Sequence, residues 1–165
     1  MSSLIVMGVA GCGKSRLAAV LAEKLGWVLI EGDEFHPPEN VAKMRAGIAL
    51  TDADRAGWLD ALGLELQRHP AGAVLTCSAL KKAYRDRLRA ASPEVRFVHL
   101  QLTREVARQR VEQRGGHYFN SHLVDSQFET LESPRGEPGV LEVDATASIE
   151  FLTGQVLGWQ QEISK

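Results

Sequence analysis

Three observations predict an α/β sandwich for this 165-residue chain, a parallel sheet of about five strands with helices on both faces. Short apolar runs of strand length recur along it. Each is followed by a stretch with helical spacing, as crossovers between parallel strands require. A glycine-rich turn separates the first run from the first helical stretch, where a strand-to-helix loop can wrap around phosphate.

The elements follow in order. Leu4 to Met7 is apolar throughout, as a strand buried on both faces would be. Leu17, Leu21 and Leu25 repeat every four residues and predict a helix that Gly26 stops. Val28-Leu29-Ile30 is the second strand, ending at Gly32-Asp33, and Ala73 to Thr76 is the third. Phe97 to Leu100, with Leu102, is the fourth. Val140 to Val143 is the fifth, and a last helix runs from Ile149 to Ile163. The Pro/Gly stretch from Ser133 to Gly139 is too short for a domain linker, so residues 1–165 read as a single domain.

Composition narrows the class. Hydrophobic residues at 44% and charged residues at 24% exclude collagenous and disordered chains. Lys+Arg at 19 against Asp+Glu at 21 leaves a net charge of -2, with no bulk basic field for nucleic acid. No apolar run reaches membrane-span length, and Leu4 to Met7 leads into glycines rather than a cleavage site. Cys12 and Cys77 are too few for a disulfide framework, and no histidine stands at zinc spacing from either. The expectation is a cytoplasmic protein without membrane contact.

The strongest signal is Gly8-Val9-Ala10-Gly11-Cys12-Gly13-Lys14-Ser15, which fits G-x-x-x-x-G-K-[ST] between an apolar strand and a periodic helix. Glycines let the backbone wrap phosphate with its N–H groups turned inward, and the helix start adds its positive dipole end. Lys14 is expected to reach the β- and γ-phosphates, and the Ser15 hydroxyl to ligate Mg²⁺. Cys12 reads as a small space-filler. The loop defines a P-loop NTPase-type three-layer sandwich that binds a nucleoside triphosphate.

Binding a triphosphate leaves the activity open. No N-K-x-D motif marks a GTPase, and the third strand ends Thr76-Cys77-Ser78 without a metal-binding acid. Asp144 reads as a loop residue after the last strand, towards the adenine. Asp33 is the best-placed carboxylate, at the C-terminal end of the second strand where such sheets form their ligand crevice. There it can orient a substrate hydroxyl or accept its proton. Glu34 is the rival acid, and a helix-capping role for Asp33 is the alternative.

Helical-wheel positions speak to the acceptor. Trp58, Leu59, Leu62 and Leu66 fall in one quadrant, and Arg55 lies in the middle of that apolar arc at the helix N-terminal end. A cation there opposes the helix dipole unless an anion balances it. The balance is either a substrate carboxylate or phosphate, or an ion pair with Asp52, Asp54 or another acid. In the helix from Thr103 to Gly115, Arg104 and Arg108 with Glu105 and Glu112 read as a solvated face. Arg110 and Arg114 lie on the opposite stripe, just before Gly115-Gly116. They read either as cations of a lid over residues 114–126 or as structural arginines at the core edge. His99 is expected to be structural, and His36 to make a polar substrate contact.

Beside the phosphate loop stand GDEFHP at 32–37, KMRAGIALTDADRAGW at 43–58, CSALKKAYRDRLR at 77–89, GHYF at 116–119 and QFETLESP at 127–134. With these the chain resembles the P-loop gluconokinases, relatives of shikimate and nucleoside monophosphate kinases. The resemblance covers the phosphate loop to about Pro134. It implies ATP and Mg²⁺, phosphorylation of D-gluconate to 6-phosphogluconate, and a homodimer. It also implies that residues Gly8 to Ser15 hold ATP and that Asp33 and His36 meet gluconate hydroxyls. Arg55 and Lys81 would meet its carboxylate and polyol, with Arg110 and Arg114 as lid cations. Ala49 and Gly57 stand where the family commonly has proline, which removes no charged group and bears on substrate affinity more than on chemistry. A shikimate-type kinase is disfavoured because Asp33-Glu34-Phe35 breaks the D-x-D pattern, and a nucleotide acceptor because no base pocket is evident. A nucleotide-gated binding module would need no lid cations.

Overall fold

A computed structural model describes residues 3–114 and 121–163. The element order is β1 (Leu4–Met7), α1 (Lys14–Leu25), β2 (Val28–Glu31), α2 (Pro38–Arg45), α3 (Asp52–Arg68) and β3 (Ala73–Thr76). It continues with α4 (Lys82–Ala91), β4 (Arg96–Gln101), α5 (Arg104–Arg114), α6 (Ser121–Thr130), β5 (Val140–Asp144) and α7 (Ile149–Ile163). All five strands are parallel and lie in the order β2-β3-β1-β4-β5. The predicted three-layer architecture is therefore present. The second strand stops at Glu31, and Gly32–Phe35 forms a single 3₁₀ turn.

β1 is central and all four of its residues are 0% exposed. Its alternation divides the core. Ile5 and Met7 join Trp58, Leu59 and Leu62 of α3 with Leu88 of α4, whereas Leu4 and Val6 join Leu17 and Leu21 of α1 with Leu152 and Val156 of α7. Burial on both faces is why this strand reads as an unbroken apolar run. Each such side chain contributes about 1.5–3 kcal/mol relative to exposure. β2 is an edge strand, with Val28 and Leu29 exposed.

Local signals set the boundaries. Gly26 adopts a left-handed conformation at φ 69° and closes α1, its N–H directed to the Ala22 and Glu23 carbonyls. Thr51 caps α3 in a reciprocal box: Asp54 N–H donates to Thr51 Oγ1 at 3.1 Å and Thr51 N–H to Asp54 Oδ2 at 2.9 Å. Lys43 of α2 adds an ion pair to Asp54 at 2.7 Å, and holds that carboxyl down at about 2. Behind α4, Arg85 is wholly buried and is bound by Glu137 at 2.7 Å and by the Ala79 and Glu132 carbonyls. That cluster ties the 131–139 loop to α4.

Of the expected lid, residues 115–120 and the side chain of Arg114 lie outside the described residues. The remainder of the 114–126 range opens α6. Arg104 and Arg108 are half-exposed as expected, but their carboxylate is Asp125 of α6, at 3.6 and 4.0 Å. They join α5 to α6.

Candidate active site

A cavity of about 410 Å³ opens above the C-terminal ends of the strands, the ligand crevice of an open parallel sheet. Its floor is the turn between β1 and α1. Gly8, Gly11 and Gly13 take φ of 144°, 84° and 93° there, conformations that side-chain-bearing residues rarely adopt. A Cβ at Gly8 would stand 2.8 Å from Cys12 Sγ and 2.9 Å from the Leu100 carbonyl, so the loop is also sterically closed from behind. Cys12 is buried as a filler. Its thiol and that of Cys77 are both pushed up by burial, which keeps them protonated and unreactive.

Lys14 lies across the loop, donating to the Gly8 carbonyl at 3.0 Å and the Val9 carbonyl at 3.2 Å. The Ala10 N–H is taken by Gln127 Oε1 of α6 at 2.7 Å. Ser15 Oγ donates to Glu31 Oε2 at 2.7 Å, while Glu31 Oε1 is buried without a hydrogen-bond partner. A hydroxyl beside a carboxylate with a spare, dehydrated oxygen is a hard, oxygen-only donor set, and it fits Mg²⁺.

Glu31 was not among the expected residues. It forms an acid-x-acid pair with Asp33, Glu31-Gly32-Asp33, two residues earlier in register than Asp33-Glu34-Phe35, which breaks the pattern. Two-residue spacing places both carboxylates at the cavity, and both line it. Gly32 makes the close approach possible. It donates its N–H to Thr76 Oγ1 at 3.1 Å and accepts from Trp58 Nε1 at 2.8 Å.

Asp33 is 66% exposed and turned to the cavity. His36 is 3% exposed, stacks on Trp58 at 4.1 Å between ring centroids, and places Nε2 3.8 Å from Asp33 Oδ1. Burial drives its pKa down to about 4, with the Asp33 charge opposing and Arg55 assisting, so the imidazole is neutral at physiological pH.

Arg55 lines the same cavity from the apolar arc of α3, only 8% exposed. The anticipated ion pairs do not form. Asp54 belongs to Thr51 and Lys43, and Asp52 to Lys81 at 2.9 Å and to the Tyr84 hydroxyl. Arg55 instead donates to Tyr84 Oη at 2.9 Å. Among the described residues it faces no carboxylate within salt-bridge distance, a costly state for a buried cation without a bound anion.

Lys81, bound to Asp52, does not line the cavity. Arg110 reaches the back of the phosphate loop, donating to the Gly11 carbonyl at 3.1 Å and the Ala145 carbonyl at 3.4 Å. Asp144 accepts from the backbone N–H and the hydroxyl of Thr146 and fixes that turn. His99 is buried beside Glu142, a structural position as expected. Met44, Trp58 and Leu123, absent from the expected site, form much of its apolar wall.

A phosphate loop with its lysine and serine, a carboxylate facing it and a buried cation awaiting an anion define the class: an ATP-dependent P-loop kinase of small molecules. Residues 4–138 match the family described as AAA domain. The chain is 46% identical to the gluconokinase of Gluconobacter oxydans over 85% of its length and 80% of that protein's. It is 40% identical to the thermoresistant gluconokinase of Escherichia coli over 93% and 90%. A gluconokinase crystal structure from Sinorhizobium meliloti superposes with a TM-score of 0.89 at 43% identity, covering 98% of this chain and 93% of that one. The chain belongs to the gluconokinase family.

Proposed function

We propose that this protein transfers the γ-phosphoryl group of ATP to the 6-hydroxyl of D-gluconate, giving ADP and 6-phosphogluconate. One observation carries the reading. A single cavity joins the phosphate loop to Asp33, His36 and Arg55, and Arg55 is a buried cation with no carboxylate among the described residues within salt-bridge distance. Gluconate supplies that carboxylate at one end and a phosphorylatable hydroxyl at the other.

In this reading residues Gly8 to Ser15 cradle the triphosphate through backbone N–H groups. Lys14 leaves the loop carbonyls for the β- and γ-phosphate oxygens, where its charge follows the migrating phosphoryl group. Arg55 takes the gluconate carboxylate, held in place by Tyr84, while Lys81 acts at one remove by pinning Asp52 against the same tyrosine. Asp33 orients the 6-hydroxyl for in-line attack and receives its proton. Arg110 braces the loop and, with Arg114, adds positive charge near the nucleotide. Ser15 and Glu31 would hold Mg²⁺, which would supply charge neutralisation for phosphoryl transfer. The family resemblance supports a single-domain cytoplasmic homodimer, which sedimentation at working concentration tests.

The direct experiment is ADP release from Mg·ATP with D-gluconate, shikimate, nucleoside monophosphates or no acceptor. Release with D-gluconate alone, abolished in Lys14→Ala, is the expected result. Release with another acceptor would keep the phosphate site and discard the gluconate assignment. ATP binding without any acceptor-dependent release would point to a nucleotide-gated binding module.

A further inference from the structure

Asn40 is a polar residue in the short helix α2, yet it is 2% exposed. Its Nδ2 makes two contacts, 2.9 Å to the Asp54 carbonyl and 3.1 Å to His36 Nδ1. The first fixes the amide orientation, because a backbone carbonyl only accepts and the atom facing it must be the NH₂ nitrogen. The second N–H of that nitrogen then points at His36 Nδ1, which must offer its lone pair. In a neutral imidazole the proton therefore resides on Nε2.

Nε2 is the ring nitrogen that stands 3.8 Å from Asp33 Oδ1. That gap is too wide for a direct hydrogen bond. An oxygen at about 2.8 Å from both atoms spans it with an angle near 85°. We propose that Asn40 is a positioning residue that holds His36 as its Nε2–H tautomer, so that a substrate hydroxyl is received between an N–H donor and the Asp33 carboxylate. Such a hydroxyl directs its proton to Asp33 and one lone pair to His36, which leaves a single lone pair for phosphorus. The face of the hydroxyl is thereby chosen before the phosphoryl group arrives.

The same amide holds the α3 N-terminus through the Asp54 carbonyl, one residue before Arg55. The other groups around the imidazole agree with the neutral ring: Trp58 is stacked on it, Arg55 opposes a second proton, and among the described residues Asp33 is the nearby charge that favours it. His36 is therefore a hydrogen-bond donor and not the proton acceptor of the reaction.

This inference rests on the cavity being the acceptor site, and the test separates the two. Long-range ¹H–¹⁵N correlation spectra of the full-length protein, without substrate, report which ring nitrogen of His36 carries hydrogen. The expected spectrum at neutral pH has protonated Nε2 and bare Nδ1. Asn40→Leu should lose that preference and Asn40→Asp should move the proton to Nδ1. Both should lower kcat/KM for D-gluconate about tenfold or more, with the KM for ATP nearly unchanged. Glutamine presents an N–H where Nε2 stands and has no tautomer to fix, so in a His36→Gln background Asn40→Leu should cost less than about threefold. Protonated Nδ1 in the unsubstituted protein would overturn the proposal. So would an undiminished cost of Asn40→Leu in the His36→Gln background, since that marks a purely structural role. The expected spectrum without turnover of D-gluconate would fell the gluconate assignment and leave the tautomer standing.

Discussion

Gly32→Ala places one methyl group where the structure has no room for it. The added Cβ would lie 2.0 Å from the Thr76 carbonyl oxygen, against a floor of 3.0 Å that real Cβ contacts respect. The end of β2 must therefore retreat from β3 by about 1 Å. Two hydrogen bonds stand in that gap, Gly32 N–H to Thr76 Oγ1 and Trp58 Nε1–H to the Gly32 carbonyl. At about 1 kcal/mol each, with about 1–3 kcal/mol for the strained packing, the substitution should cost about 3–5 kcal/mol. Glu31 and Asp33 flank the glycine and move with it. A displacement of about 1 Å at reacting groups lowers turnover on the order of 10²-fold. The assay pairs urea unfolding with a coupled measurement of kcat/KM for D-gluconate. Gly57→Ala serves as control, since nothing lies within 4 Å of its added Cβ. That helical position should gain about 0.5–1 kcal/mol and keep full activity. A Gly32→Ala protein with an unchanged midpoint and turnover within threefold of the parent would refute the reasoning.

The remaining expectations follow the same logic. Arg55→Met keeps the apolar arc of α3 filled and removes the buried charge, so stability should hold while the KM for D-gluconate rises about 30-fold or more in steady-state kinetics. Glu137→Ala strands the wholly buried Arg85 and should lower unfolding stability by about 3–5 kcal/mol in urea titrations, with the site chemistry untouched in what remains folded. The pKa of folded His36, about 4, lies below the usual value of 6.5, so as pH falls the unfolded chain protonates first. Its contribution is fully present above about pH 6.5 and is lost towards pH 4, so calorimetry on His36→Gln should show a shallower acid slope across that window. The buried His99, shifted in the same direction, and depressed carboxylates such as Asp54 and Glu137 should supply the slope that remains.

Much of this fold was legible because its determinants are local. The phosphate loop, the four-residue repeat of α1 and the apolar quadrant of α3 each carry their meaning within a few turns. The wheel that placed Arg55 among leucines correctly anticipated a buried cation. The partners of the nearby acids were not legible. Asp54 is drawn off by its own capping box and by Lys43, and Asp52 by Lys81 and Tyr84, and all of these but the box span 11 to 32 residues. Glu31 was legible only in an acid-x-acid pattern that begins two residues before Asp33-Glu34-Phe35. Asn40 gave no signal at all, since a helix of eight residues has too little periodicity to mark one polar side chain as buried. Arg110 was placed by its stripe on the inward side of α5, but a stripe does not specify which atoms of the loop the guanidinium meets.

The sheet order has a consequence for ancestry and divergence. The triphosphate grip rises from the central strand, whereas Glu31 ends, and Asp33 and His36 follow, an edge strand that among the described residues pairs with β3 alone. Changes at a sheet margin disturb one interface, and changes at its middle disturb two. A lineage could rewrite the turn after β2, α2 and the first turn of α3 for a different acceptor while inheriting the phosphate loop intact. Phosphate binding and acceptor choice are in that sense separable inheritances, joined chiefly where Ser15 touches Glu31.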